Sequence, residues 1–130
     1  MKQEQYEFLA GEILSSSLEV HKAMGPGLLE SVYEHCLWKE LRLRNVKSER
    51  QVPVPLYYKG YELGKDYRID ILVEGEIIIE IKAVDNLLPL HEAQIISYLK
   101  LAEKKMGFLI NFNSPILKRG FKRFVNNYYF

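Results

Sequence analysis

Two carboxylates and a lysine lie close together in the chain, Asp70 at the end of Tyr67-Arg68-Ile69-Asp70 and the pair that brackets Ile81, Glu80 and Lys82. Carboxylate oxygens are the donors that Mg²⁺ and Mn²⁺ prefer, so two of them side by side could share one divalent ion, with the lysine on the same face. The chemistry open to such a group is metal-assisted hydrolysis. Whether the three side chains meet depends on the strands that carry them. Alternation puts Ile69, Ile71, Val73, Ile77, Ile79 and Ile81 on one face and Arg68, Asp70, Glu80 and Lys82 on the other, with Leu72 and Ile78 near the turn. A two-residue turn at Glu74-Gly75 would pair Asp70 with Ile79 and mix the faces. A three-residue loop centred on Gly75 pairs 73 with 77, 70 with 80 and 68 with 82, and the facial pattern selects it. Asp70 and Glu80 are then expected directly opposite, with Cβ atoms roughly 4.5–5.5 Å apart. A cross-strand salt-bridge ladder that includes Arg68 on a solvated face is the competing reading. Against it, the strand 76–84 is rich in isoleucine, at 77, 78, 79 and 81, and belongs in the middle of a sheet.

Other residues could join this group. Glu30 shares a helix face with Tyr33 and Glu34, although a carboxylate at a helix N-terminus needs no further reason than the dipole. His91, Gln94 and Tyr98 share a face of a later helix, which a polar border explains equally well. His21, near a helix end, reads as structural before it reads as a ligand. Lys118, Arg119, Lys122 and Arg123 form a basic run that suits phosphate contacts or a solvated surface.

The elements that must hold these residues follow from periodicity. Tyr6, Leu9, Ile13, Val20 and Met24 recur at helical spacing until Gly25-Pro26-Gly27 stops them, and a second helix runs from Leu28 to about Leu43. Strands are expected at 51–57, 61–63, 66–73 and 76–84, the first an edge strand because of Pro53 and Pro55. A helix follows from Leu87 to about Lys105, then an interior strand from Met106 to Phe112. Phe121 to Val125 is either a strand or a helical turn. The order predicts one α/β domain over residues 1–130.

The chain has 130 residues, 48% of them hydrophobic, enough to bury one core but hardly two. It carries no long apolar run and no signal-peptide pattern, which predicts a cytoplasmic protein without a membrane partner. Cys36 is the only cysteine, so an intrachain disulfide, a four-cysteine zinc site and a cysteine-held iron–sulfur cluster are excluded. A net charge of +1 confines any nucleic-acid footprint to local patches.

Gly27-Leu-Leu-Glu30-Ser-Val-Tyr33 resembles the signature of the GxxExxY proteins, a group within the PD-(D/E)XK nuclease superfamily. The blocks Glu19-Val-His21, Tyr67-Arg-Ile-Asp70, Glu80-Ile-Lys82, His91-Glu-Ala-Gln94 through Tyr98-Leu-Lys100, and Leu109-Ile-Asn-Phe-Asn113 extend the likeness over most of the chain. The resemblance implies an αβββαβ core, a mixed sheet flanked by helices, with an extra N-terminal helix and a β-hairpin. It also implies a Mg²⁺- or Mn²⁺-dependent nuclease acting on nucleic acid, DNA ahead of RNA. Glu30, Asp70 and Glu80, with the backbone carbonyl of Ile81, would ligate metal, and Lys82 would act on the water or the phosphate. Gln94 and Tyr98 resemble the Gln-xxx-Tyr motif of RecB-like nucleases, and Lys118, Arg119, Lys122 and Arg123 would contact the nucleic-acid backbone. Ile69 stands where the superfamily name has proline. A non-cleaving nucleic-acid-binding module and a protein-interaction module on the same fold remain open. So small a chain has no room for a separate specificity domain, and a second copy or a partner protein would supply it.

Overall fold

The structure is a computed structural model and describes residues 1–126. Helix α1 covers Gln3–Met24 and α2 Glu30–Leu43; strands β1 (Ser48–Tyr58), β2 (Tyr61–Val73) and β3 (Ile77–Lys82) follow, then α3 (Pro89–Leu101), β4 (Met106–Asn111), a 3-10 turn (Leu117–Gly120) and β5 (Phe121–Val125). The five strands form one mixed sheet in sequence order. Neighbours are antiparallel except β3 and β4, and the α3 crossover is what lets those two run parallel. No helix among the described residues is long and apolar enough to cross a membrane.

Each face of the sheet is covered. The stripe Tyr6, Leu9, Ile13 and Val20 of α1 and the stripe Tyr33, Leu37 and Leu41 of α2 pack on Ile71, Val73, Ile77, Ile79, Ile81, Phe108 and Ile110. On the other face Leu99 of α3 meets Ile69, Leu72 and Ile78. The break between α1 and α2 is fixed rather than loose. Gly25 and Gly27 adopt φ of 70° and 96°, the Tyr33 hydroxyl donates to the Gly25 carbonyl and accepts from the Leu28 amide, and Gly27 N–H donates to Asn113. Gly27 and Tyr33 of the signature heptad are therefore structural here.

The layer arrangement matches the α/β expectation, with β1 at an edge and β3 and β4 inside. Several boundaries differ. The expected strands 61–63 and 66–73 are one strand, continuous through Gly64 at φ 68°. Because of that merger the added β-hairpin is the far half of β1 and β2, continuous with the core strands. Phe121–Val125 is a strand on the outer side of β4. β3 stops at Lys82 because the Asn111 side chain, not a strand neighbour, binds the amide and carbonyl of Val84.

The largest difference concerns parity. Val73, Leu72 and Ile71 pair with Ile77, Ile78 and Ile79 across the three-residue loop, as the faces demanded, but the ladder ends there. Asp70 does not pair with Glu80, and Arg68 lies opposite Pro53 rather than Lys82. Gln51, in the left-handed region at φ 54°, kinks β1 between its pairs Arg50 with Ile71 and Val52 with Ile69. Both strands change face at this kink. Ile69 accordingly joins the α3 side while Ile71 stays with α1 and α2.

Gly120 closes the 3-10 turn against β4, where a Cβ would stand 2.9 Å from the Asn111 carbonyl and collide with Ser114 Oγ. Gly120→Ala should cost about 1–3 kcal/mol, seen in urea unfolding as a lower midpoint with an unchanged m-value.

Candidate active site

The charged residues gather where β2 leaves β3. That departure strips Ile81 N–H of its ladder partner, and Asp70 Oδ2 accepts it instead at 2.8 Å. Glu80 stands next to Asp70, only 7% exposed, and its Oε1 has no hydrogen-bond partner. Burial first, then the charge of Asp70, push the Glu80 carboxyl up to about 9, with Lys82 pulling the other way. Burial raises Asp70 as well, opposed by the Ile81 amide, while Glu34 adds a further upward push. Two adjacent carboxylates, one of them buried, repel each other, and Lys82 alone offsets that repulsion only in part. An orphaned, buried carboxylate oxygen beside a second carboxylate is a donor set that suits a hard divalent ion.

Two flanking groups escaped the sequence reading as site residues. Glu34, buried on α2, accepts from Arg50 Nε and Nη2 at 3.1 and 2.8 Å and from Gln51 Nε2 at 2.6 Å, which ties the helix to the kink. Its only sequence signal was its place one helical turn after Glu30. Tyr67 stacks on Tyr98 with ring centroids 4.0 Å apart, and its hydroxyl donates to the Tyr98 carbonyl. Both phenols are pushed up, by burial first and then by Glu80, so they stay protonated. Strict alternation assigns Tyr67 to the face of Ile71, and only the kink turns it toward α3.

The remaining candidates divide. Lys82 is half-buried at the end of β3, its charge acting on both carboxylates. Gln94 is half-buried one turn before Tyr98 on α3. The Lys82 carbonyl faces β4, where it accepts the Phe112 amide, so the backbone of Ile81 faces the gap left by β2. Glu30 is exposed at the first position of α2 and is not among the groups that shift Asp70 or Glu80. Among the described residues no three His, Cys, Asp or Glu side chains form a metal-holding group. In the basic run, Lys122 pairs with Glu92 at 3.0 Å and Arg123 with Glu7, which leaves Lys118 and Arg119 facing solvent. His21 Nε2 bonds the Ser114 carbonyl at 2.8 Å and joins α1 to the segment after β4.

A family model described as the PD-(D/E)XK nuclease superfamily matches residues 7–124, from α1 through the kink to β5. No curated protein and no solved structure matches.

The raised Glu80 carboxyl fixes a sign for stability. Its folded value lies above the ordinary 4.5, so its contribution is complete below about pH 4.5 and is lost as pH climbs toward 9. In chelator, the melting temperature should fall across that window. Glu80→Gln should flatten the fall and melt higher at pH 8 by on the order of 5 °C, measured by thermal unfolding across pH.

Proposed function

This chain belongs to the PD-(D/E)XK nuclease superfamily, and from that premise we propose a metal-dependent nuclease that hydrolyses phosphodiester bonds in nucleic acid, DNA ahead of RNA, on the GxxExxY pattern. The observation that carries the reading is the unpartnered Glu80 Oε1, buried beside Asp70 and Lys82. A solvated salt-bridge ladder would leave Glu80 exposed, and it needs β2 and β3 to stay paired through Arg68, Asp70, Glu80 and Lys82, whereas their ladder ends at Ile71 and Ile79.

Asp70, Glu80 and the Ile81 carbonyl would hold Mg²⁺ or Mn²⁺, and Glu30 would reach in from the exposed start of α2. Such an ion, when bound, lowers the pKa of a water and stabilises charge on the phosphate. The chain's own residues supply the rest. Asp70 has one oxygen committed to Ile81 N–H, so its carboxylate is oriented before any ligand arrives. Lys82 orients the attacking water and stabilises the charge that develops on the phosphate. Tyr98, kept protonated and braced by Tyr67, has its hydroxyl within reach of the charges of Glu80 and Asp70, with Gln94 one turn away. Lys118 and Arg119 are the members of the basic run left for backbone contacts.

Purified protein with Mn²⁺ or Mg²⁺ should cleave at least one of single- or double-stranded DNA or RNA. Lys82→Ala should lower kcat by about 10²-fold or more with its melting temperature retained. Cleavage at the parent rate in that variant would remove Lys82 from its role. A protein that neither takes up Mn²⁺ in calorimetry nor cleaves any of these substrates would overturn the nuclease reading.

A further inference from the structure

Three arginines lie on the elements that meet at the kink carrying Asp70, Arg50 and Arg68 at the kink itself and Arg42 about two helical turns beyond Glu34 on α2. Arg42 of α2 and Arg50 of β1 place their guanidinium carbons 5.0 and 5.9 Å from the centre of the Trp38 ring. Arg68 of β2 donates to the Gln51 carbonyl at 3.3 Å. The indole is held in place, with Nε1–H donating to the Ser48 carbonyl at 3.1 Å, and it is only partly buried. Arg50 also grips Glu34, whose charge reaches Asp70, so the cluster begins one side chain away from the carboxylate pair.

The charges in this cluster do not balance. Of the three arginines only Arg50 has a carboxylate partner among the described residues, and Arg42 and Arg68 are exposed. A cation in the last turn of α2 complements the helix dipole, which accounts for Arg42 but not for Arg68. Cations brought together around one aromatic ring repel one another unless an anion lies between them. In the C-terminal run, by contrast, two of the four cations, Lys122 and Arg123, already hold Glu92 and Glu7.

Resting on the nuclease reading, we infer that Arg42 and Arg68 form the surface that receives the phosphates of a nucleic-acid strand beside the site, with the Trp38 indole next to it. Planar guanidinium groups match phosphate oxygens and do so without sequence preference. The row runs from the end of α2 past Arg50 to Arg68 at the kink, so a strand lying along it reaches the Asp70 pocket.

Trp38 is the only tryptophan, so its emission reports this surface alone. A short labelled DNA strand and its duplex, titrated into the protein in chelator, should change Trp38 emission in step with anisotropy. Arg42→Ala and Arg68→Ala, both at exposed positions, should each weaken binding about tenfold and reduce the salt slope by about 1. Lys22→Ala, on α1, should leave both unchanged. Binding seen by anisotropy with unaltered Trp38 emission and unaltered affinity in the two arginine variants would overturn this surface, and so would polyglutamate competing as well as DNA. If metal-dependent cleavage persists in either case, the nuclease reading stands while this inference falls. If neither binding nor cleavage occurs, both fall.

Discussion

The backbone amide of Ile81 loses its strand partner where β2 turns away from β3, and the side chain of Asp70 replaces it. A buried amide without an acceptor would cost about 1–3 kcal/mol, so the carboxylate is held there by the needs of the sheet itself. That bond brings Asp70 against the buried Glu80, where the two charges oppose each other. The raised carboxyls and the orphaned oxygen of Glu80 follow from this one substitution of side chain for strand.

The kink survives because other elements hold both sides of it. Gln51 takes a left-handed conformation that costs roughly 1 kcal/mol or more for a non-glycine residue, and its side chain is anchored to Glu34 while Arg50 doubles that anchor. Helix α2 must therefore sit at a fixed height over β1. The Tyr33 latch and its stacking on Phe112, 4.8 Å between ring centres, set that height from the other end of the helix. Asn111 performs a similar service past the end of β3, where its amide stands in for a neighbouring strand. Much of what surrounds the site consists of side chains doing the work of backbone.

That pattern also explains which features could be read from the sequence. Helical and alternating periodicities located the elements, and the facial argument found the Gly75 loop with its pairing of Val73 to Ile77. Asp70, Glu80 and Lys82 were recognisable because their types and spacing survive small errors of geometry. Parity failed at Ile69 because alternation assumes an unbroken strand, and a left-handed glutamine carries no compositional mark of the kind glycine does. Tyr67 was hidden by the same error. Glu34 looked like any helix carboxylate, since its partners Arg50 and Gln51 lie on another element. The pairing within the basic run was not legible because charge counts ignore partners, and Glu7 and Glu92 are remote in sequence from Arg123 and Lys122.

Beyond the kink, β1 and β2 pair mainly with each other, and residues 57–66 are exposed throughout. Everything from Ser48 to Gln51 and from Asp70 to Val73 has its length dictated by the sheet, whereas the end of the arm answers to no neighbour. Its length is a free variable. Residues can be added in matched pairs on the two strands, or a foreign peptide spliced in at Lys59-Gly60, without altering the distance from Asp70 to Glu80. The molecule thus carries a handle whose dimensions are uncoupled from its chemistry.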